Sequence, residues 1–270
     1  MTFDEKKKKL LGFMDGYAKK DCVIAFSGGV DSSLLLRLAC ERAKDYGTAV
    51  YGVMILSELA PAGDVEIARA VADEAGARFV TLKINELSQP GIADNSVQRC
   101  YICKKYLFTR LLDFAREKGI DTVLEGTNED DLHVYRPGIR AIKELGVQSP
   151  LAFAGMTKAQ VRDLAKTYGI SVADRPSSPC LATRFPYGTH LTVEALQKAE
   201  QGEDILHRLG FRQVRLRVHD NIARIEVEVC EMQRLLSVAA QVVCEIKALG
   251  YDYVTLDLEG FRSGSMDLHV

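Results

Sequence analysis

The chain lacks the features that would place it in a membrane, in a secretory route or on bulk nucleic acid. No apolar run approaches the length that a bilayer span requires, and charged residues stand where a signal peptide has its apolar segment. Lys and Arg number 35 against 37 Asp and Glu, so net charge gives no bulk attraction to RNA or DNA. We therefore expect a cytoplasmic protein that contacts no membrane and for which a nucleic-acid partner is disfavoured.

Internal repeats, low-complexity tracts and long linkers are also absent from the sequence. At 270 residues, 47% of them hydrophobic, the chain can bury one good core and a second, smaller one. The cysteines number seven, and an odd number in a cytoplasmic chain favours reduced thiols over disulfides. Two domains are therefore expected, and the cysteines are candidates for ligands or nucleophiles.

The most informative segment is a polar loop between an apolar run and a leucine-rich stretch. Residues 22–26 read CVIAF, residues 27–32 read SGGVDS, and residues 34–43 are rich in leucine. This order predicts a strand, a tight loop and a helix whose first N–H groups face an anion, which we expect to be a pyrophosphate. The candidate nucleotide-binding residues are Ser27, Gly28, Gly29, Asp31, Ser32 and Ser33.

This loop is not a Walker A sequence, because no Gly-Lys-Ser/Thr follows it, and it lacks the three spaced glycines of a dinucleotide fingerprint. Without the Walker lysine, chemistry at the α-phosphate is favoured over γ-phosphoryl transfer. Asp31 is then expected to hold Mg²⁺ on the departing pyrophosphate, because that ion prefers carboxylate and phosphate oxygens. The loop resembles the signature of the PP-loop ATP pyrophosphatases, which adenylate a substrate and release pyrophosphate.

The elements after the loop predict an α/β fold with a parallel sheet covered on both faces, as in adenine nucleotide alpha hydrolase-like domains. Apolar periodicity predicts strands over 49–55, 79–84 and 122–125, and helices over 64–75 and 101–118. Ligands of such sheets bind beyond the carboxyl ends of the strands. Gly126 and Asn128 follow one such end, where a nucleotide site and an ordinary capped turn are both open. Residues 149–151 and 158–165 resemble the strand and helix that close PP-loop domains.

Past Gly188 the pattern changes to an α+β order. Helices are predicted over 191–209 and 232–249, and strands over 213–218, 223–229 and 253–258. We therefore predict a PP-loop domain over 1–188, which carries the candidate ligand cysteines, and an α+β domain over 189–270. The second domain has few residues for its apolar faces, so we expect part of that surface to pack on the first domain or on another subunit, and we predict a homo-oligomer. We assign this domain to substrate binding or oligomerisation.

Three cysteines stand outside apolar stretches. Cys100 and Cys103 lie three residues apart at the start of a predicted helix, where the dipole and nearby cations stabilise thiolates. Prolines at 176 and 179 keep Cys180 out of any helix interior. The pair at 100 and 103 also fits two unrelated thiols, zinc or a redox disulfide.

Four further cysteines occupy apolar positions and are predicted to be buried: Cys22, Cys40, Cys230 and Cys244.

Seven motifs, spread over nearly the full length, together resemble the LarE sulfur transferases. They are SGGVDS at 27–32, RCYICK at 99–104, GTN at 126–128, YRPG at 135–138, PCLATR at 179–184, RLR at 215–217 and EGFRSGSM at 259–266. Proteins of that family make the thiocarboxylates of the nickel-pincer nucleotide, the cofactor of lactate racemase and related enzymes. The resemblance implies that ATP adenylates a carboxylate of a pyridinium-dicarboxylate mononucleotide and that sulfur then displaces AMP.

The family uses two sulfur sources. Some members have only the cysteine that matches Cys180 and give up its sulfur, which leaves dehydroalanine. Others bind a [4Fe-4S] cluster through three cysteines, and its fourth iron, free of protein ligands, carries an extra sulfide. Cys100, Cys103 and Cys180 match the second kind, so the resemblance implies an iron-sulfur enzyme. No donor that would reload the sulfide is identified by the sequence.

Polar residues of the second half are candidates for the substrate site. Arg215 and Arg217 share one face of a predicted strand, a spacing that suits clamping of a phosphate or carboxylate. Arg184, four residues after Cys180, is expected to reach the same substrate and to act in catalysis with Cys180 and Asp31. Arg262 and Ser263 are further candidates, for an anion or a subunit interface. The resemblance to the family also implies Glu203 and Glu226 as ligands of a metal or the substrate.

Three other functions fit parts of the pattern. Some PP-loop enzymes that thiolate tRNA use three cysteines and an iron-sulfur cluster, although such a substrate calls for a basic surface. An amide-forming PP-loop ligase would make the cysteines incidental. A nucleotide sensor would bind ATP without releasing pyrophosphate.

Overall fold

The computed structural model describes residues 1–60, 64–134, 136–176, 179–262 and 264–266. The chain divides into two compact units. The first unit comprises Met1–Ser57, Ala62–Asn85 and Cys100–Ser178, and the second comprises Glu58–Pro61, Glu86–Arg99 and Pro179–Val270. Compactness does not show which segments fold independently, so the domain division at 188/189 stays a prediction.

The first unit is built on a four-stranded parallel sheet, which confirms the predicted fold class. Its strands are β1 (Cys22–Ala25), β2 (Val50–Leu56), β3 (Arg78–Lys83) and β4 (Thr122–Leu124), in the order β3-β2-β1-β4. The chain moves outward from β1 to β3 on one side and then crosses to β4 on the other. Strand order therefore reverses beside β1, which is where ligands of such sheets bind.

Helices cover both faces of this sheet because alternate strand residues point to opposite sides. Ile24, Met54 and Leu124 pack into one core with residues of α1 (Phe3–Ala18), α2 (Val30–Tyr46), α3 (Asp64–Ala75) and α8 (Lys158–Thr167). Val23, Val53 and Val123 pack into the other core with α5 (Arg99–Glu117) and α6 (Gly138–Glu144).

The expected strand at 149–151 is wrong. Only one parallel bridge forms there, between Leu124 and Gln148, and the chain then turns into the short helix α7 (Pro150–Phe153). Pro150 has no N–H for a strand ladder, whereas its fixed φ suits the first position of a helix. The predicted amphipathic helix that follows is α8.

The second unit contains a three-stranded mixed sheet. The strands β5 (Val214–His219) and β6 (Ile222–Val227) form an antiparallel hairpin, and β7 (Tyr253–Leu256) runs parallel to β6. The helix α9 (Val193–Arg208) packs on β5 so closely that a Cβ at Gly202 would lie 2.7 Å from Leu216 Cδ1. A short helix, α4 (Pro90–Ala93), belongs to the same unit.

The single helix expected over 232–249 is also wrong. It forms as α10 (Met232–Ser237) and α11 (Ala239–Ala248), which are separated at Val238, where φ is −113° and ψ is 14°. The Ser237 hydroxyl donates to the Arg234 carbonyl, a local bond that competes with continuation of the helix.

No helix in the described part of the chain combines the length and apolarity that crossing a bilayer requires.

Candidate functional site

The loop at 27–29 takes a backbone form that brings its N–H groups to the start of α2. Gly28 has a φ of +72°, in the left-handed region, and a Cβ there would lie 3.1 Å from the Ala68 Cβ. Gly29 is extended and precedes the first helical residue, Val30. Since the first N–H groups of a helix have no partners within the helix, they are available to an anion.

Hydroxyl groups of the loop hold its shape as well as offering donors. Ser32 Oγ and Ser33 Oγ both donate to the Gly29 carbonyl, at 3.1 Å and 2.8 Å. Ser27 N–H donates to Ser32 Oγ at 3.3 Å. Ser32 and Ser33 are buried, whereas Ser27 is exposed. The exposed hydroxyl is therefore the one that a ligand meets first.

Asp31, in the first turn of α2, lies among polar groups from two distant segments. Asn128 Nδ2 donates to Asp31 Oδ1 at 3.2 Å, and the Lys158 ammonium forms an ion pair with Asp31 Oδ2. Both members of that ion pair keep partial solvent exposure. The site therefore joins a carboxylate that suits Mg²⁺ to a cation that suits a phosphate.

The segment after β4 approaches α2 closely because residue 126 is glycine. A Cβ on Gly126 would lie 3.1 Å from both the Asp31 Cβ and the Ser32 amide nitrogen. Asn128 is buried, and its Oδ1 accepts from Asp130 N–H at 3.0 Å, which fixes the side chain that reaches Asp31. The structure thus brings Gly126 and Asn128 to the loop.

Glu125, just before this segment, is a buried carboxyl with a structural role. It accepts hydrogen bonds from Thr127 N–H at 3.0 Å, from Thr127 Oγ1 at 2.8 Å and from Ser149 Oγ. Burial raises the pKa of this carboxyl, an effect that its hydrogen bonds oppose. Glu125 therefore holds the turn that carries Asn128.

Cys100 and Cys103 occupy the first turn of α5 in the first unit, and both thiols are half-buried. The N-terminus of α6 packs against this turn, since a Cβ on Gly138 would lie 2.7 Å from Lys104 Cγ and 3.3 Å from the Cys100 carbonyl. Cys180 is half-buried in the second unit, directly before a short 3₁₀-helix over Leu181–Arg184.

The donor set of three thiols suits the soft irons of an iron-sulfur cluster. Within either unit, the residues that the structure describes form no group of three His, Cys, Asp or Glu side chains placed to hold a metal ion. Convergence of Cys100, Cys103 and Cys180 therefore stays a prediction.

The three candidate arginines of the second unit, Arg184, Arg215 and Arg217, are buried, and two of them pair with buried glutamates. Arg184 pairs with Glu203 through two hydrogen bonds of 2.8 Å and 2.7 Å, and Arg217 donates to Glu226 at 2.9 Å. Burial lowers the pKa of the Arg215 guanidinium to about 10, and neighbouring Arg184 adds to the shift, so Arg215 stays cationic at neutral pH.

Glu203 and Glu226 thus contact arginines, and their role as metal ligands stays a prediction. Among the described residues, none accepts a hydrogen bond from the buried Arg217 Nε. Arg262 pairs with Glu259 on the surface. Ser263, and Tyr135 of the YRPG motif, lie outside the described residues.

No protein-family model matches the chain. The chain is 38% identical over 245 residues to the pyridinium-3,5-bisthiocarboxylic acid mononucleotide synthase of Lactiplantibacillus plantarum, a match that covers 90% of this chain and 88% of that protein. The chain belongs to the LarE-like PP-loop family.

Two further proteins are similar to this LarE-like chain. An uncharacterized protein of Synechocystis sp. is 39% identical over 247 residues, which are 91% of each chain. The tRNA-specific 2-thiouridylase MnmA of Rickettsia bellii is 26% identical over 234 residues, with 70% of this chain and 61% of that protein covered. The LarE-like chain is therefore an enzyme of the PP-loop ATP pyrophosphatase family.

Sequence reasoning missed one residue of the candidate nucleotide site of this LarE-like chain, Lys158. The feature that could have identified Lys158 is its position as the first residue of α8, directly after the capping residue Thr157. The helix dipole disfavours a cation there, so a lysine at this position indicates a purpose other than helix stability. Its partner Asp31 lies 127 residues earlier, and nothing in the local pattern links the two.

Two of the four cysteines predicted to be buried are exposed. Cys22 and Cys40 are buried, and burial raises their pKa values to about 12 and about 11. For Cys230 and Cys244 the prediction was wrong. Cys230 lies in a 3₁₀-turn after β6, and Cys244 lies on the face of α11 opposite the buried Val242 and Ile246.

Proposed function

We propose that this LarE-like enzyme uses ATP to convert a carboxylate of a pyridinium-dicarboxylate mononucleotide into a thiocarboxylate, in nickel-pincer cofactor synthesis. The observation that carries the proposal is the 38% identity, over nine-tenths of the chain, to a protein named as a synthase of a pyridinium bisthiocarboxylic acid mononucleotide. The geometry at α2 supports the ATP-dependent half of the reaction.

In the first half-reaction a substrate carboxylate oxygen attacks the α-phosphorus of ATP, and the bond to the bridging oxygen breaks. Pyrophosphate leaves with the electron pair. The N–H groups at the start of α2 and the Lys158 ammonium stabilise the charge on the phosphates. Asp31 would hold Mg²⁺ together with the phosphate oxygens, and that ion would neutralise the leaving group.

In the second half-reaction a sulfur nucleophile attacks the adenylated carbonyl carbon. The bond from that carbon to the AMP oxygen breaks, and AMP leaves. Arg215 and Arg217 bind the anionic groups of the acceptor, for which Arg217 Nε is an available donor.

Cys100, Cys103 and Cys180 would hold a [4Fe-4S] cluster. When bound, that cluster would supply sulfide for the transfer, so turnover would not consume a cysteine. The alternative source is Cys180 itself, which would be left as dehydroalanine after one transfer. Both sources use the same adenylated acceptor.

The ATP half-reaction is tested with Asp31→Ala and a control, Asp45→Ala, at the exposed end of the same helix. Wild-type protein given ATP, Mg²⁺ and the pyridinium acceptor should form AMP and pyrophosphate. Asp31→Ala should abolish this, and Asp45→Ala should leave it unchanged. ADP and orthophosphate as the primary products would exclude the proposal.

The sulfur source is tested with anaerobically purified Cys100→Ala, Cys103→Ala and Cys180→Ala proteins. Each should lose the broad visible absorption of a cluster and repeated sulfur transfer, while ATP binding persists. Cys244→Ala, at an exposed thiol, is the matched control. If the first two variants still transfer sulfur once and mass spectrometry shows dehydroalanine at 180, Cys180 is a sacrificial donor.

A second candidate function is tRNA thiolation, which the 26% identity to a tRNA-specific 2-thiouridylase favours. The even balance of 35 basic and 37 acidic residues opposes it. Salt-sensitive binding of tRNA, together with thiolation of a tRNA base, would favour this candidate over the pyridinium acceptor.

A further inference from the structure

We propose that the Arg184–Glu203 ion pair is a positioning device that fixes the backbone at Cys180, and that neither residue contacts the substrate or a metal. The proposal rests on the proposed role of Cys180 in sulfur transfer. It assigns to Arg184 and Glu203 a task different from the one that their sequence positions suggested.

Arg184 folds back onto its own loop. Its Nε and Nη2 donate to the two Glu203 carboxylate oxygens at 2.8 Å and 2.7 Å. Its Nη1 donates to the carbonyls of Pro179 and Cys180 at 3.0 Å and 3.2 Å, and to Thr183 Oγ1 at 3.0 Å. The guanidinium therefore has protein acceptors on every nitrogen, and its side chain is only 3% exposed.

Glu203 connects this loop to the rest of the second unit. It lies on α9, and its Oε1 also accepts from the Leu216 N–H of β5 at 3.0 Å. Bidentate bonds between a guanidinium and a carboxylate are strong and fixed in direction. The pair thus ties the Cys180 loop to both a helix and a strand.

Two more buried arginines act on the same loop. Arg217 Nη1 donates to the Thr183 carbonyl at 2.8 Å, and Arg99 Nη1 donates to the Ala182 carbonyl at 3.3 Å. Leu181 N–H donates to the Leu59 carbonyl at 2.9 Å. With the backbone of Cys180 held on both sides, its sulfur is confined to the few positions that the χ1 rotamers allow.

Three variants separate positioning from substrate contact. Glu203→Gln keeps the shape of the side chain and removes its charge. The double variant Arg184→Met with Glu203→Leu replaces the buried pair by apolar groups, a change that proteins often tolerate without loss of stability. Asp204→Asn, the next residue of α9, is exposed and is the matched control.

The readouts are hydrogen exchange at the amides of Leu181 and Thr183 and the kinetics of sulfur transfer to the pyridinium-dicarboxylate mononucleotide. We expect Glu203→Gln and the double variant to raise exchange by at least about tenfold, the lower end of the range given by loss of one hydrogen bond to a charged group. The kcat of sulfur transfer should fall while KM stays unchanged, and the control should match wild type.

Exchange equal to wild type together with a raised KM would overturn the proposal, because Arg184 would then bind substrate. Exchange equal to wild type with unchanged kinetics would overturn it too. The exchange measurement requires no activity, so it decides the positioning role even if the wild-type protein transfers no sulfur and the proposed function fails.

Discussion

Lys158 places a positive charge beside the loop at 27–29, whose sequence lacks a Walker lysine. Its ammonium pairs with Asp31, and that partner would turn to Mg²⁺ when ATP binds. The released ammonium could then contact the phosphates. Under the proposed function, Lys158 would therefore have a charge partner both without and with the nucleotide.

We expect Lys158→Met to lower the rate of AMP and pyrophosphate formation by about 10²-fold, the usual effect of removing one donor to developing charge. Lys166→Met is the control, since Lys166 lies on the same helix but pairs with Asp174 on the surface. Initial rates at saturating ATP measure the effect. An unchanged rate in Lys158→Met would remove this residue from the nucleotide site.

The cysteines differ in reactivity according to burial. Alkylation by iodoacetamide requires a thiolate, and burial keeps the pKa of Cys22 and Cys40 at about 12 and about 11. In the folded protein near neutral pH, Cys230 and Cys244 should be alkylated while Cys22 and Cys40 are not. Mass spectrometry of peptides measures this, with unfolded protein as the control. Rapid labelling of Cys22 would contradict the structure.

At the scale of single elements, α2 is the helix on which the nucleotide site depends. A left-handed glycine lies at each of its ends, Gly28 before it and Gly47 after it. A Cβ on Gly28 would lie 3.1 Å from the Ala68 Cβ, whereas a Cβ on Gly47 would have no neighbouring atom within 4 Å. A residue with a Cβ would meet the same backbone strain at both positions, but the space around the Cβ differs between them.

Gly47→Ala is expected to lower the free energy of unfolding by about 1–2 kcal/mol, the cost of a left-handed conformation for a residue with a Cβ. Gly28→Ala should cost more and should also weaken ATP binding, because α3 or the loop must shift. Urea denaturation and calorimetric titration with ATP measure the two effects. Equal losses in both variants, with equal ATP affinity, would show that the loop tolerates a Cβ.

At the scale of the whole molecule, the expectation of a homo-oligomer concerns the apolar surface of the second unit. Four apolar side chains of this unit are largely exposed: Val229, Leu236, Tyr253 and Leu258, at 67%, 56%, 62% and 84%. Contiguous exposed apolar patches commonly mark contacts between proteins, whereas single exposed apolar residues are ordinary. Self-association of this chain therefore stays a prediction.

We expect light scattering to give a mass above that of one chain at micromolar concentration. Leu236→Asp should lower that mass, because a carboxylate is costly to bury in an apolar contact. Asp204→Asn, which leaves the apolar surface unchanged, is the control. A monomeric wild-type protein at this concentration would contradict the expectation.

The amino-acid sequence by itself determined the features that depend on neighbouring residues. The apolar run at 22–26, the glycines at 28 and 29 and the helical periodicity after them act through local backbone preferences, so the strand, the loop and α2 form as predicted. Alternation of strands and helices likewise specifies a parallel sheet, because parallel neighbours require a crossover between them.

Only the tertiary structure decided which distant groups meet and which faces stay exposed. Lys158 reaches Asp31 because β4 ends and α8 begins beside the loop, and Arg184 reaches Glu203 because α9 packs on β5. Cys244 is exposed because the opposite face of α11, which carries Val242 and Ile246, is the buried one. Pairing of charges and choice of buried face depend on packing between segments, which local periodicity does not encode.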